Sequence, residues 1–292
     1  MMKCCIWKSL LIGGIVVLAA FFLYDFAASQ FKLRNIIFEK VYQSDIRLAK
    51  VERLELQSIL QQPFSYLDRG RQSYVFISKD GKYVLKFFDA RRLNSSVRIF
   101  QSERSLTHKY ERLFKGYEVA YKYDRENTGL LFVQLTPDPS LNIVATVSDR
   151  FGMAHKISLS SVPFVLQKTA VPTRIVISEL LDKGNVDKAK QRFRQIIDMY
   201  LEEYRRGLND TDHNFMYNTG FIGEKPIRID VGRLGVDKNV IDPKVYKKEI
   251  QTIAIKRTGG WVKRHYPEYR DEILSDIRIH INMPDTEFEF SN

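Results

Sequence analysis

The chain has 292 residues, and its 46 Lys and Arg against 35 Asp and Glu leave a formal net charge of +11, a size that fits one folded domain of roughly 230 residues behind an N-terminal extension. Its two cysteines, Cys4 and Cys5, both precede the first long apolar run, so the folded part can form no disulfide. Its five histidines lack metal-ligand spacing, and no zinc finger, RNP motif or basic zipper is visible, which weighs against nucleic acid as the partner of the basic charge.

In chain order, Ser9 to Tyr24 carry no charge. At about 1.5 Å per residue they span roughly 24 Å, and Ile6 and Trp7 with a snorkelling Lys8 on one side and Phe26 to Ala28 on the other extend the run towards a hydrocarbon core of about 30 Å. Residues 1–30 therefore predict a single-pass membrane anchor. A cleavable signal peptide is the rival reading, with Lys3 and Lys8 as its charged start and Ala27-Ala28-Ser29 as its small-residue end. Lys3 and Lys8 favour a cytoplasmic N-terminus while Lys32 and Arg34 weaken that bias, so the side of the membrane stays open. The basic clusters Lys188 to Arg194, Arg205-Arg206 and Lys247 to Arg264 read as solvated helix faces that anionic lipid headgroups would attract.

Residues 31–62 read as a charged juxtamembrane helical linker, with Ser44 or Asp45 as cap and Pro63 as stop. From Tyr66 to Phe88 the pattern is that of a β-hairpin. Tyr74, Phe76, Tyr83, Leu85 and Phe87 alternate with smaller or polar neighbours around the turn Lys79-Asp80-Gly81-Lys82. Ser95 or Ser96 can cap a following helix that runs through Leu106 to Phe114. Leu130 to Leu135 predicts a strand after Asn127-Thr128-Gly129, and Thr136-Pro137-Asp138-Pro139 breaks the chain where two lobes would meet. An inserted sheet is expected at about 141–170, with Asp149-Arg150-Phe151-Gly152 as a hairpin turn.

Phe193, Ile196, Ile197, Tyr200, Leu201, Tyr204 and Leu208 recur at helical spacing, with a cationic last turn and a stop at Gly207. The helix delivers an acidic loop, Asp210-Thr211-Asp212-His213-Asn214. Met216 to Asn218 and Ile227 to Ile229 predict two short strands before Asp230-Val231-Gly232. A calcium loop is excluded, because Phe215 and Phe221 stand where an EF-hand needs glycine and glutamate. Taken alone, the loop's Asp and Asn residues are explained by side-chain capping and Asx turns.

Helix, acidic loop, Asn, hairpin and Asp-x-Gly together resemble the catalytic core of the protein-kinase-like superfamily, and two upstream stretches strengthen the resemblance. Leu67 to Val75 lines up with a glycine-rich loop of which Gly70 is the surviving middle glycine, with Asp68 and Ser73 in place of the others, and Val84-Leu85-Lys86 lines up with V-A-I-K. No His-Arg precedes Asp212, and Val231 replaces Phe. The resemblance implies an α+β bilobal fold, with an antiparallel-sheet N-lobe over 63–135 and a mainly helical C-lobe over 136–292, behind the N-terminal transmembrane helix. It implies an ATP- and magnesium-dependent kinase acting on a hydroxyl of a small molecule, sugar, lipid or protein; the alternative is a pseudokinase serving as a membrane-tethered binding or scaffold module. In those roles Asp212 would be the catalytic base, with Asp210 competing for the part, Asn218 and Asp230 the metal ligands, and Lys86 the phosphate-pairing lysine. Glu103, or failing it Glu111, would pair with Lys86, and Gly70, Arg71, Gln72 and Ser73 would cover the nucleotide.

Overall fold

The computed structural model describes residues 31–70, 72–91 and 103–281, together with 14, 15 and 18; the anchor expected over 1–30 thus lies almost wholly outside the described residues. Among the described residues no helix is long and apolar enough to cross a membrane. Helix α1 (Lys50–Ile59) leads into strands β1 (Phe64–Arg69), β2 (Ser73–Ser78) and β3 (Tyr83–Phe88). Helix α2 (Glu103–Tyr123) follows, then β4 (Leu130–Gln134), β5 (Val144–Ser148), β6 (Ala154–Ser158) and β7 (Phe164–Lys168). These seven strands form one sheet in the order β4-β7-β3-β2-β1-β5-β6, antiparallel except where β1 meets β5.

The β2–β3 hairpin has the predicted register, with Tyr74 opposite Phe87 and Phe76 opposite Leu85, and Gly81 turns it at φ 72°. Because side chains alternate along a strand, Leu85 and Phe87 enter a core with Tyr74, Phe76, Phe132 and Phe164 on one face of the sheet. Phe88, and Lys86 in phase with it, face the other way, where Leu106, Tyr110, Leu113, Phe114 and Tyr117 of α2 cover the sheet. Lys86 is thereby directed into the layer between sheet and helix.

Two expectations change here. Residues 31–62 are not a free linker: Phe31, Ile36, Leu56, Ile59 and Leu60 are buried in the first core, and the helix is confined to Lys50–Ile59, where Glu52 accepts the Ala49 N–H at 2.8 Å. The residues before it form a 3-10 turn at Leu33–Ile36 and otherwise irregular chain, and Ser44 is engaged with Thr136 and Glu118 rather than capping a helix. Nor do residues 141–170 form a sheet of a second lobe. β5 and β6 extend the first sheet past β1, and β7 inserts between β3 and β4, because Phe164 to Leu166 can bury both faces only at the sheet's centre. The chain therefore leaves the sheet after Lys168, not at Thr136 to Pro139. Asp149 to Gly152 does form the β5–β6 turn, with Gly152 at φ 82°.

The second half is mainly helical. It begins with β8 (Val171–Pro172), α3 (Thr173–Asp182) and α4 (Val186–Arg205), whose Phe193, Ile196, Ile197, Tyr200 and Tyr204 form the buried stripe. Gly207 ends α4 at φ 71°. β9 (Leu208–Asp210) carries the acidic loop, followed by β10 (Thr219–Ile222) and β11 (Lys225–Arg228), an antiparallel hairpin, and β12 (Leu234–Val236), which pairs back to β9. Residues Met216 to Asn218, expected as strand, lie in one helical turn (Phe215–Asn218), with the Asn218 N–H on the Asn214 carbonyl at 2.9 Å; the strand starts only at Thr219. Helix α5 (Pro243–Ile250), a π-helical stretch (Gln251–Arg257), α6 (Thr258–His265) and α7 (Arg270–His280) complete the described chain. The whole is a mixed α/β fold, a seven-stranded sheet followed by a mainly helical half.

Candidate active site between the sheet and the acidic loop

A cavity of about 480 Å³ opens between the β1–β2 turn, α2 and the loops after β9 and β11. Gly70, Gln72 and Ser73 form one wall; Asp212, Asn218 and Asp230 form the opposite one. The turn is closed by the Gly70 N–H on the Ser73 carbonyl at 2.9 Å and tied to the end of β3 by the Asp89 N–H on the Gln72 carbonyl at 2.8 Å. Asp68, whose charge would repel an anion, is not on the wall; its carboxylate accepts the Arg69 N–H at 2.7 Å. Arg71 lies outside the described residues.

Lys86 is 8% exposed, and its ammonium donates to the Ile229 carbonyl next to Asp230. Burial lowers its pKa from the usual lysine range, and the Asp230 carboxylate opposes that shift. The lysine and Asp230 thus share one low-dielectric space although 143 residues separate Lys86 from its bonding partner. Asp230 turns back on its own loop, its Oδ1 accepting the Gly232 N–H at 3.0 Å, and the Asn218 carbonyl accepts both the Ile229 and Asp230 N–H groups at 2.8 and 3.2 Å. The two candidate ligand residues are therefore coupled through the backbone.

No described carboxylate of α2 pairs with Lys86. Glu111, the fallback partner, is exposed and joined to His108 at 3.2 Å. Glu118 faces the other side of the helix, bonded to Lys115 at 2.9 Å and Lys122 at 3.1 Å. Glu103 begins α2, and its side chain lies outside the described residues. Lys109, Leu113 and Tyr117 of α2 line the cavity, and Tyr117 is buried, its phenol pushed well up by burial and by the Asp230 charge. Neither Tyr117 nor Lys109, which also lines the cavity, carried a sequence signal beyond helical periodicity.

Asp210 and Asp212 differ in what they touch. Asp210 is 1% exposed; its Oδ2 takes the Arg228 guanidinium at 2.7 Å and its Oδ1 the Asp212 N–H at 3.0 Å. Asp212 is half-buried, lines the cavity, and has no hydrogen bond to its carboxylate among the described residues. His213 follows at φ 54°, a left-handed conformation uncommon for a residue with a side chain, and its Nε2 holds Glu249 at 3.0 Å. That kink lets Asp212 and Asn214 both line the cavity.

Arg228 anchors the arrangement. Fully buried, it grips Glu203 of α4 with both Nε, at 2.7 Å, and Nη2, reaches Asp210, and stacks over Tyr200 with its guanidinium carbon 4.0 Å from the ring centre. Burial alone would lower the guanidinium pKa, but the carboxylates outweigh it and hold the group charged. One side chain thereby joins α4, the acidic loop and β11, the strand that leads to Asp230.

Close backbone approach sets the remaining geometry. A Cβ on Gly116 of α2 would lie 2.4 Å from the Val231 carbonyl oxygen, so α2 rests directly on the Asp230-Val231-Gly232 loop. Gly116→Ala is expected to cost about 1–3 kcal/mol by overpacking, read as a lowered melting temperature. An unchanged melt would mean that helix and loop separate easily.

Among the described residues no group of three or more His, Cys, Asp or Glu could hold a metal ion. Asn218 and Asp230 line the same cavity as Asp212.

No family model and no curated protein matches this sequence. Among solved structures it is similar to WbdD, a bifunctional kinase-methyltransferase, at TM-score 0.42 and 13% identity over 76% of this chain and 46% of that one in the co-crystal structure with the kinase inhibitor LY294002. A 2.2 Å crystal structure of WbdD gives the same score and identity over 78% and 47%. The chain spans about half the length of the WbdD chains that it matches.

Proposed function

We propose that the chain is a phosphotransferase that moves the γ-phosphoryl group of ATP to a hydroxyl. The observation that carries this reading is the buried Lys86 ammonium bonded beside Asp230, while Asp230, Asn218 and Asp212 line one cavity under the Gly70–Ser73 turn. Lys86 would neutralise phosphate oxygens, and the turn would cover them. Asn218 and Asp230 would hold magnesium, which would supply positive charge to offset the charge developing on the phosphate. Asp212, rather than the ion-paired Asp210, would take the hydroxyl proton as the acceptor oxygen bonds to the γ-phosphorus; the bond from that phosphorus to the bridging oxygen breaks and ADP leaves. The basic surface would hold the domain near anionic lipid if the N-terminal segment anchors it.

A pseudokinase is the second reading, favoured by one observation. Lys86 is satisfied by a backbone carbonyl, and no described acidic residue of α2 is set to pair with it. Thermal melts with ATP and magnesium come first. At a hundredfold excess over its dissociation constant the nucleotide should stabilise the fold by about 2.7 kcal/mol, roughly 5–10 °C for a chain of this size. A shift without turnover selects a nucleotide-binding pseudokinase; no shift with any nucleotide removes the enzyme reading and favours the scaffold module.

A further inference from the structure

A second cavity, of about 290 Å³, adjoins the first and shares Asn214 and Tyr217 with it. Its far wall is made by Lys256, Arg257 and Arg264, over Gly260 and Trp261. No acidic residue lines it. By contrast, Lys190, Arg192, Arg194, Arg206 and Arg270 are each matched to a carboxylate. Lys256, Arg257 and Arg264 have no ion-pair partner among the described residues, and Arg174 adds a fourth cation by stacking on the outer wall, 5.1 Å from the Tyr217 ring centre.

Helix chemistry accounts for only part of this. Arg264 lies in the last turn of α6, where a cation complements the helix dipole, but Lys256 and Arg257 lie inside a helical run that continues unbroken from Pro243 to His265. They sit at the end of the π-helical stretch, the wider winding that recurs at functional sites. Gly260 keeps the space beside them open: a Cβ there would meet nothing within 4 Å, whereas one on neighbouring Gly259 would press on Leu274 at 3.0 Å.

We infer that this groove is the acceptor subsite and that the acceptor is an alcohol bearing an anionic group, phosphate or carboxylate. Its charge rests on Lys256, Arg257 and Arg264 while its hydroxyl reaches past Asn214 and Tyr217 to Asp212. The inference rests on the phosphotransferase reading for the hydroxyl's role, whereas anion binding by the groove can be measured without it.

The test is a titration of the full chain with inorganic phosphate, run with and without a saturating non-hydrolysable ATP analogue and magnesium. Wild-type protein should show a saturable phosphate site that persists with nucleotide bound. The combined change Lys256→Gln, Arg257→Gln, Arg264→Gln should weaken it about tenfold or more, the size of one charge-assisted hydrogen bond, while leaving nucleotide affinity intact. A control with equal loss of charge outside the groove, Lys247→Gln, Lys248→Gln, Lys263→Gln, should leave phosphate affinity unchanged. Equal weakening by both triple variants, no weakening by the first, or no saturable site overturns the inference. Failure of the analogue to bind wild-type protein, with the phosphate site present and groove-dependent, would instead overturn the phosphotransferase reading alone. Vesicles of phosphatidylglycerol against phosphatidylcholine separate the sources. Groove-dependent, phosphate-competed capture by the anionic vesicles identifies a lipid headgroup, and its absence, with the phosphate site intact, a soluble acceptor.

Discussion

Arg228→Met should lose about 3–5 kcal/mol of stability, because it leaves the buried carboxylates of Glu203 and Asp210 without their cation. For a domain of this size that is a fall on the order of 10 °C in melting temperature. The pair has no solvent to fall back on: Arg228 and Glu203 are 0% exposed and Asp210 is 1% exposed. Arg228→Lys keeps the charge but cannot grip Glu203 with two nitrogens while reaching Asp210 and stacking on Tyr200, so an intermediate loss is expected. The effect should extend to the site. Asp210 holds the Asp212 N–H, and Gln167 of β7 donates to the Arg228 carbonyl at 3.0 Å, so the same residue connects the acidic loop to the first sheet. At temperatures where Arg228→Lys stays folded, nucleotide affinity should fall with it; a variant that melts within about 1 kcal/mol of wild type would show that the network is not the joint described.

The second large effect is on turnover. On the proposed phosphotransferase reading, Asp230→Asn and Lys86→Met should each reduce magnesium-dependent ATP turnover by about 10²–10³-fold or more, the cost of removing one preorganised electrostatic group. The substitutions separate chemistry from folding. Asn keeps an Oδ1 to accept the Gly232 N–H while removing the charge that acts on Lys86 and Tyr117. Met fills nearly the volume of the lysine stem but strands the Ile229 carbonyl, so about 1–3 kcal/mol of stability should go with the activity. Circular dichroism and melts accompany the assay for that reason. Turnover unchanged in both folded variants would place the chemistry elsewhere.

Much of the site was legible because it depends on short periodic patterns. Alternation from Tyr74 to Phe88 with Gly81 at the turn predicts the hairpin that carries Lys86, and the stripe from Phe193 to Tyr204 with Gly207 predicts the helix before the acidic loop. Other elements escaped that logic. Phe164 to Leu166 reads as an apolar run without a direction, and only its place between β3 and β4 reveals it as a central strand. Met216 to Asn218 looks strand-like by residue type but closes as a helical turn on the Asn214 carbonyl. The juxtamembrane segment looks like a solvated helix because its charges are frequent, yet Phe31, Ile36 and Leu56 are drawn into the sheet's core.

Residue type and spacing were enough to nominate the residues of the candidate site: one lysine, an acidic loop, an asparagine and an Asp-x-Gly. Which carboxylate is free, what stands beside Asp230, and which cations border the cleft were decided by long-range packing. Arg228 binds Asp210 and leaves Asp212 open, Tyr117 occupies the α2 position beside Asp230, and the π-helical stretch brings Lys256 and Arg257 to the edge of the cleft. The reason is the range of the forces. Alternation and helical period act between neighbours a few residues apart, whereas the partner of a buried charge is whichever group the fold carries to within about 3 Å of it, and nothing local specifies that group.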